Sequence, residues 1–339
     1  MNLKEFAKKL ELSQTTVSRA LSGYPEVKQS TRERVITAAR EFGYRPNTSA
    51  LGLATGRVGA VGIVLQGGGE FGPHSSEFMG GLGGRLQQEE IDILVSTVDT
   101  QEAELATYRR LAASKRVDAV VLHSPFRDDP RIALLTALDL PFIVHGRTES
   151  EGHFGWLDID NFGAVRQSTG HLLDLGHRRI ALLNGFSGRI FAMHRQSGYE
   201  AAHADRGIQS DPALAAHGEF TDEAGFRLMR DLLDGSDKPT AVVAGSMMTA
   251  LGAMRAIRIA GMRIGDDISL IAHDDVFPYI SPDNLIPSLS TTRSSIRAAG
   301  ARIGEMVLEL LQGSPPETLR EVWAVELVIR NSTGRAPFT

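Results

Sequence analysis

The stretch LKEFAKKLELSQTTVSRAL, residues 3–21, decides how the rest of the chain is read. Leu3, Phe6, Ala7 and Leu10 recur at helical spacing and form one apolar stripe, with Lys4, Glu5, Lys8 and Lys9 interspersed on the other faces. Ser13 is a natural N-cap for a second, short helix, since its hydroxyl can accept from an amide of the first turn. That helix turns Val17, Ala20 and Leu21 inward and leaves Gln14, Thr15, Ser18 and Arg19 on or near the outer surface. Two short helices of which the second offers hydrogen-bonding side chains from its first turns suit a DNA major groove. The competing reading is an ordinary three-helix surface module. Helices are expected over about 3–10, 14–22 and 31–42, the last ending near Pro46 because proline disfavours helix at the residue before it.

The charge distribution agrees with a polyanion-binding head. Residues 1–57 hold 10 Lys/Arg against 5 Asp/Glu, whereas the remaining residues hold 26 against 36, for a net charge of −5. With 339 residues, 42% hydrophobic and 23% charged, the chain has the composition of a globular protein of two or three packed units. There are no cysteines, which excludes a disulfide framework and thiolate chemistry. Nothing resembles a secretory apolar region, and no apolar run approaches the ~20 residues needed to span a bilayer. A cytoplasmic protein without membrane contact is expected.

From Ala60-Val61-Gly62-Ile63-Val64-Leu65 onward, apolar strands alternate with amphipathic helices. Strands are expected at 60–65, 91–96, 118–122, 141–145, 155–159, 179–183, 240–244 and 268–272. Helices are expected at 77–89, 101–114, 130–138, 162–175, 195–206, 222–234, 249–260 and 293–312. Val/Ile/Leu-rich strands each followed by a helix argue for parallel sheets in an α/β body, and two halves of ~100 residues fit the length.

Three segments then carry a family resemblance: Ser13-Gln14-Thr15-Thr16-Val17-Ser18-Arg19-Ala20-Leu21-Ser22-Gly23, Thr31-Arg32-Glu33-Arg34-Val35 and Gly43-Tyr44-Arg45-Pro46-Asn47. In this order they resemble the LacI/GalR family of bacterial transcriptional regulators. The likeness runs to Leu327-Val328-Ile329-Arg330-Asn331-Ser332-Thr333-Gly334, and residues 18–27 look most like its alpha-glucoside-type regulators in alphaproteobacteria. The resemblance implies an all-α helix-turn-helix head (1–46), a hinge helix or linker (47–57) and a two-lobed, periplasmic-binding-protein-like α/β body (58–339). It implies a homodimeric repressor of carbohydrate-uptake or catabolism genes, bound to pseudopalindromic double-stranded operator DNA and controlled by a small sugar in the body's cleft. A purine or other small-molecule effector is the alternative within the family.

Carried over by position, Gln14, Thr15 and Arg19 match base-reading side chains, and an arginine can bond two acceptors on guanine. Thr16, Ser18, Thr31, Tyr44 and Asn47 match phosphate-holding positions, which fix register rather than sequence. Ala50 and Leu53 match the hinge, where paired leucines wedge into the minor groove; the other reading of Leu53 is a linker leucine packed on the body. Gly52 departs from the usual helix-favouring residue and costs ~1 kcal/mol of helicity, so this hinge is expected to order only on DNA. Glu11 stands where the family usually has a turn glycine, and Lys28 replaces a common Ser cap before the third helix.

Ligands of open α/β bodies bind beyond the carboxyl ends of the strands. The family's ligand-clamping arginine matches Arg195, a sugar-binding acid matches Asp274, and a ring-stacking aromatic matches Phe220. His74, Ser75, His123, Ser124 and Asp160 also fall at strand ends and complete the candidate effector site. Local caps, an ion pair and core packing compete as readings for Asp274, Arg195 and Phe220. Ser246-Met247 replaces a common Asn-Asp pair, which is expected to make the cavity wall more apolar. No cofactor or metal is expected, and His177 reads as structural. One pattern favours an enzyme: Gly67-Gly68-Gly69-Glu70-Phe71-Gly72 satisfies G-x-G-x-x-G after a strand, with Asp99 ending the next. A nicotinamide-dependent enzyme needs the helix to start within that loop, and Pro73-His74-Ser75 is expected to delay it to about residue 77.

Overall fold

The computed structural model describes residues 1–21, 24–44, 57–67, 72–273 and 276–337. Helices α1 (Leu3–Lys9), α2 (Gln14–Leu21) and α3 (Gln29–Glu41) form the head. Asn2 and Glu5 make a reciprocal capping box, with Glu5 N donating to Asn2 Oδ1 at 2.9 Å and Asn2 N to Glu5 Oε2 at 3.1 Å. Ser13 caps α2 as expected, its Oγ accepting from Thr16 N at 3.0 Å. Phe6, Ala7, Val17, Ala20, Val35 and Ala38 form the head's core. Both departures from the family pattern show locally: Glu11 sits at φ +54°, and Lys28 begins α3 without a side-chain capping bond.

The body holds two six-stranded sheets among the described residues. The first joins β1 (Ala60–Gln66), β2 (Asp92–Val98), β3 (Ala119–His123), β4 (Phe142–His145), β5 (Gly155–Ile159) and β11 (Arg320–Trp323) in the order β11-β5-β4-β3-β1-β2, all parallel. Its two faces bury alternating residues. Val61, Ile63 and Leu65 pack on α4 (Pro73–Leu86) and α11 (Ile296–Leu311), while Val64, Val120 and Leu122 pack on α5 (Gln101–Ala113) and α6 (Pro130–Ala137). The chain enters β1 pinned by Asp118, whose carboxylate accepts from the Val58 and Gly59 amides at 2.7 Å each.

The second sheet joins β6 (Ile180–Asn184), β7 (Ala215–His217), β8 (Ala241–Ala244), β9 (Ser269–His273), β10 (Ser290–Arg293) and β12 (Glu326–Val328) in the order β12-β10-β9-β8-β6-β7. Only β12 runs antiparallel to its neighbour. Helices α7 (Asn161–Asp174) and α8 (Ile190–Ala204) cover one face, α9 (Asp222–Asp234) and α10 (Met247–Ile259) the other. The chain crosses between lobes three times: from β5 to α7, from β10 to α11, and from β11 to β12. Close helix packing in the first lobe depends on glycine: a Cβ on Gly81 of α4 would lie 1.8 Å from the Arg297 carbonyl oxygen of α11. No helix among the described residues is long and apolar enough to cross a membrane.

Several expectations are corrected. Strands β7, β10, β11 and β12 lack the apolar runs that marked the others, and the helix expected from 293 begins at Ile296. Helix α4 begins at Pro73, not near 77; proline at the first helical position initiates rather than delays, since its missing N–H would have no intrahelical partner there. His74 and Ser75 therefore stand in the first turn of a helix and not in a loop.

Candidate DNA-reading face and effector cavity

On α2 the buried Val17 and Ala20 face the head's core, so Gln14, Thr15 and Arg19 are exposed together on the outer side. Thr16 and Ser18 of the same helix and Thr31 of α3 are half-buried, and the Thr16 hydroxyl lies 2.8 Å from that of Ser13. Tyr44 is placed differently from a surface contact. Its ring stacks on Phe6 at 4.3 Å and it is 7% exposed, so packing is its first role. Asn47, Ala50 and Leu53 lie outside the described residues, as does Asp274.

Between the two sheets, at the carboxyl ends of their strands, lies a cavity of about 290 Å³. Three strands, β3, β4 and β9, end in histidines that line it: His123, His145 and His273. Parallel pairing of β3 and β4 sets His123 opposite His145, their Nδ1 atoms 2.9 Å apart, and His145 stacks on the buried Phe78 at 4.4 Å. Burial, then the neighbouring His145, hold the His123 imidazole well below the usual histidine range, so it is neutral at pH 7. His273 contacts the Thr292 hydroxyl at 2.6 Å through Nδ1. His74 enters from α4, edge-on to Phe277 at 5.1 Å.

The second lobe supplies an aromatic wall. Phe220, after β7, lies 5.8 Å from Phe191 of α8. Gly185 makes room for both rings, since a Cβ there would come within 2.9 Å of each. Beneath them Arg195 is 4% exposed, its guanidinium carbon 5.1 Å from the Phe191 ring and 5.4 Å from that of Phe220. Its Nε donates to Asn161 Oδ1 and its Nη1 to the Gly245 carbonyl, both at 2.7 Å. Asn161 Nδ2 reaches Asp158 Oδ1 at 3.3 Å, and Arg147 Nε donates to Asp158 Oδ2 at 2.7 Å. Burial nevertheless pushes the Asp158 carboxyl up, against the pull of Arg147.

Six of the expected effector residues thus share one cavity: His74, Ser75, His123, Ser124, Arg195 and Phe220. Asp160 does not join them. Its carboxylate caps α7, accepting from Gly163 N at 2.9 Å, and its neighbours Ile159 and Asn161 line the cavity instead. Ser246 and Met247 are fully buried away from the wall they were expected to shape, and Ser246 caps α10. Sequence reasoning missed Gln66, His145, Asp158, Arg189 and His273; each stands at or near a strand end or helix start, the signal that could have found them. His177 is structural, contacting Thr240, Ser269 and the Gly334 carbonyl at 2.9–3.1 Å.

Residues 68–71 of the glycine-rich segment lie outside the described residues. With α4 starting at Pro73, the delayed helix no longer argues against a dinucleotide site there. That question is decided by kinship. Among the described residues no group of three or more His, Asp or Glu is placed to hold a metal.

A helix-turn-helix head on a two-lobed α/β body with a cavity at the crossings defines a DNA-binding protein built around a ligand-binding type of fold. Residues 2–47 match the family described as bacterial regulatory proteins, lacI family, and residues 169–333 match the periplasmic binding protein-like domain. The chain is 47% identical to the HTH-type transcriptional regulator AglR of Rhizobium meliloti, over 99% of this chain and 95% of that one. It is 34% identical to the HTH-type transcriptional regulator RafR of Escherichia coli, over 95% and 96%. Among solved structures, the lac repressor dimer bound to operator and the anti-inducer ONPF superposes with a TM-score of 0.84 at 27% identity, covering 98% of this chain and 99% of that one. A CelR–cellobiose complex gives 0.72 at 28%, with the same coverage. The chain belongs to the LacI family: it is a DNA-binding transcriptional regulator, not an enzyme.

Proposed function

We propose that the protein is a homodimeric, cytoplasmic repressor whose operator affinity is set by a small saccharide, an alpha-glucoside of one or two rings, held between the lobes. The division into head (1–46), hinge (47–57) and body (58–339) belongs to the same reading. Gln14, Thr15 and Arg19 read bases in each half of a pseudopalindromic operator, with Thr16, Ser18, Thr31, Tyr44 and Asn47 on phosphates and Ala50 and Leu53 at the minor groove. The single observation that carries the effector half is the juxtaposition of Phe220 and Phe191 over Arg195, facing neutral imidazole across the cavity. Rings stack on the apolar face of a sugar, and imidazole, guanidinium and amide groups exchange hydrogen bonds with its hydroxyls. The cavity's volume stands at the small end of the ~300–1,000 Å³ range for small-molecule sites. Cellobiose in the CelR complex, and operator with ONPF on the lac repressor dimer, support the same assignment of partners.

The deciding experiment is fluorescence anisotropy of the full chain on the promoter beside its own gene, at fixed salt, with a panel of glucosides and purines. Tight, sequence-specific binding that one glucoside weakens is the expected result. A purine response instead would replace the sugar, and weak binding governed only by salt would remove the sequence-reading role.

A further inference from the structure

Arg189, the residue before α8, reaches out of the second lobe into the first. Its Nη1 donates to the Ser124 carbonyl at 2.5 Å and its Nη2 to Gln66 Oε1 at 3.2 Å, and its guanidinium carbon lies 4.1 Å from the centre of the Phe126 ring. The backbone follows: Ile190 N donates to the Pro125 carbonyl at 3.2 Å, and Phe126 and Arg189 form an isolated antiparallel bridge. Gln66, Ser124, Pro125 and Arg189 all line the effector cavity.

Behind the neutral groups that Arg189 bonds, and one hydrogen bond further on, lies a buried charge cluster. Arg131 is 1% exposed; it donates to both Asp129 carboxylate oxygens at 2.6–2.9 Å and to Glu104 Oε1 at 2.7 Å, and both carboxylates are fully buried. Two buried acids thus face one buried guanidinium. Gln66 ties this cluster to Arg189, donating through Nε2 to Glu104 Oε2 at 3.0 Å while its own carbonyl accepts from Arg189. Arg131 Nη2 also donates to the Ser124 carbonyl, at 3.3 Å, so the two arginines share one acceptor. A surplus of buried negative charge attracts a second cation, and charge-assisted bonds with ring contact hold that cation in one pose.

We propose that Arg189 is a positioning residue for effector capture: an electrostatic latch by which the first lobe's Glu104–Asp129–Arg131 cluster draws the second lobe shut over the cavity. The latch rests on the effector reading above only for its consequence; the contact between lobes stands without it. With Arg189 in place the lobes are held in the pose that wraps a ligand. Without it, the cavity opens at the side where α8 begins.

The test is amide hydrogen–deuterium exchange of the full-length, ligand-free protein as wild type, Arg189→Met and Arg189→Lys. Ile190 N–H, bonded across the lobes, reports the latch; Gly245 N–H, bonded to Leu183 within the second lobe at 2.7 Å, reports folding. Exchange at Ile190 is expected to rise at least ~10-fold in Arg189→Met and to recover in part in Arg189→Lys, with Gly245 unchanged. Equal exchange at Ile190 in wild type and Arg189→Met, or equal acceleration at both amides, overturns the latch. Maltose is the second probe, by calorimetric titration: weaker binding by Arg189→Met supports the coupling to capture, and equal affinity overturns it. A wild type that does not bind maltose removes maltose as the effector, and the exchange comparison then decides the latch alone.

Discussion

Arg195 and Asn161 are joined by a 2.7 Å hydrogen bond, so the arginine under the aromatic wall is fixed to the first turn of α7, where the chain has just crossed between lobes. A ligand that touches Arg195 therefore pushes on a crossing. Replacing Arg195 by alanine leaves Asn161 Oδ1 and the Gly245 carbonyl without this donor, and each buried polar group so orphaned costs ~1–3 kcal/mol. Arg195→Ala is expected to lower the body's melting temperature and abolish the operator's response to ligand. Thermal unfolding and anisotropy check this; an undiminished ligand response would remove Arg195 from the site.

Arg19 stands exposed on α2 beside Gln14 and Thr15. Arg19→Ala is expected to cost ~1–3 kcal/mol of operator affinity and relax preference at one base pair per half-site. Anisotropy on a set of single-substituted operators gives the answer. Uniform weakening across all of them would make Arg19 a phosphate contact.

The α4–α11 contact is intolerant of side chains. Gly81→Ala places a Cβ 1.8 Å from the Arg297 carbonyl oxygen, and Gly300→Ala places one 2.1 Å from that of Phe78. Backbone cannot yield as a flexible side chain does, so each is expected to destabilise the first lobe by ~3 kcal/mol. Urea denaturation reads the loss; a variant as stable as wild type would show that the helices part freely.

Glu11 occupies a left-handed conformation that glycine adopts without steric cost. Glu11→Gly is expected to stabilise the head by ~0.5–1 kcal/mol, net of the entropy glycine adds to the unfolded chain. Slower amide exchange in α1 and α2 of the full chain is the readout. Faster exchange would mean that the Glu11 side chain contributes more than its backbone costs.

Burial holds the His177 imidazole below its ordinary range, against the pull of the Gly334 carbonyl. The unfolded chain takes up a proton as pH falls below ~6.5 while folded His177 stays neutral. Stability is therefore full above that pH and declines below it, by up to ~1.4 kcal/mol per pH unit until the folded imidazole protonates. His123, also held low, adds to the same slope. In urea denaturation at pH 7 and 5.5, His177→Asn is expected to be less stable at pH 7 and to lose less on acidification. A drop equal to that of wild type would exclude His177 as a source.

The head and most of the strand–helix order were legible because burial imposes a period on apolar residues. Strand β10 shows why the rest was not. Ser290-Thr291-Thr292-Arg293 has no apolar member, yet its first three residues are at most 1% exposed. Their hydroxyls are satisfied by partners distant in sequence, Ser290 by Arg330, Thr291 by Arg330 and Thr292 by His273, which no local pattern reveals. Within the cavity, His123 and His145 each stand at a strand end, but that they face each other follows only from the register of β3 against β4. Asp160 illustrates the converse: a carboxylate at a strand end is equally a carboxylate at a helix start, and there the α7 amides claim it.

The threefold crossing of the chain also sets when each lobe can exist. The first lobe gains α11 only after the chain has returned from the second, and its edge strand β11 only at Arg320–Trp323, while the second lobe waits for β12. A chain ending before about residue 320 keeps the α11 face formed by Ile303, Met306 and Val307 but lacks β11 of the first lobe and β12 of the second, so the damage of a late frameshift falls on both lobes. Neither lobe can be excised or exchanged with a relative's by a single cut. Recombination that preserves folding must respect all three crossings, so new ligand specificities are reached more readily by substitution around the cavity than by shuffling lobes.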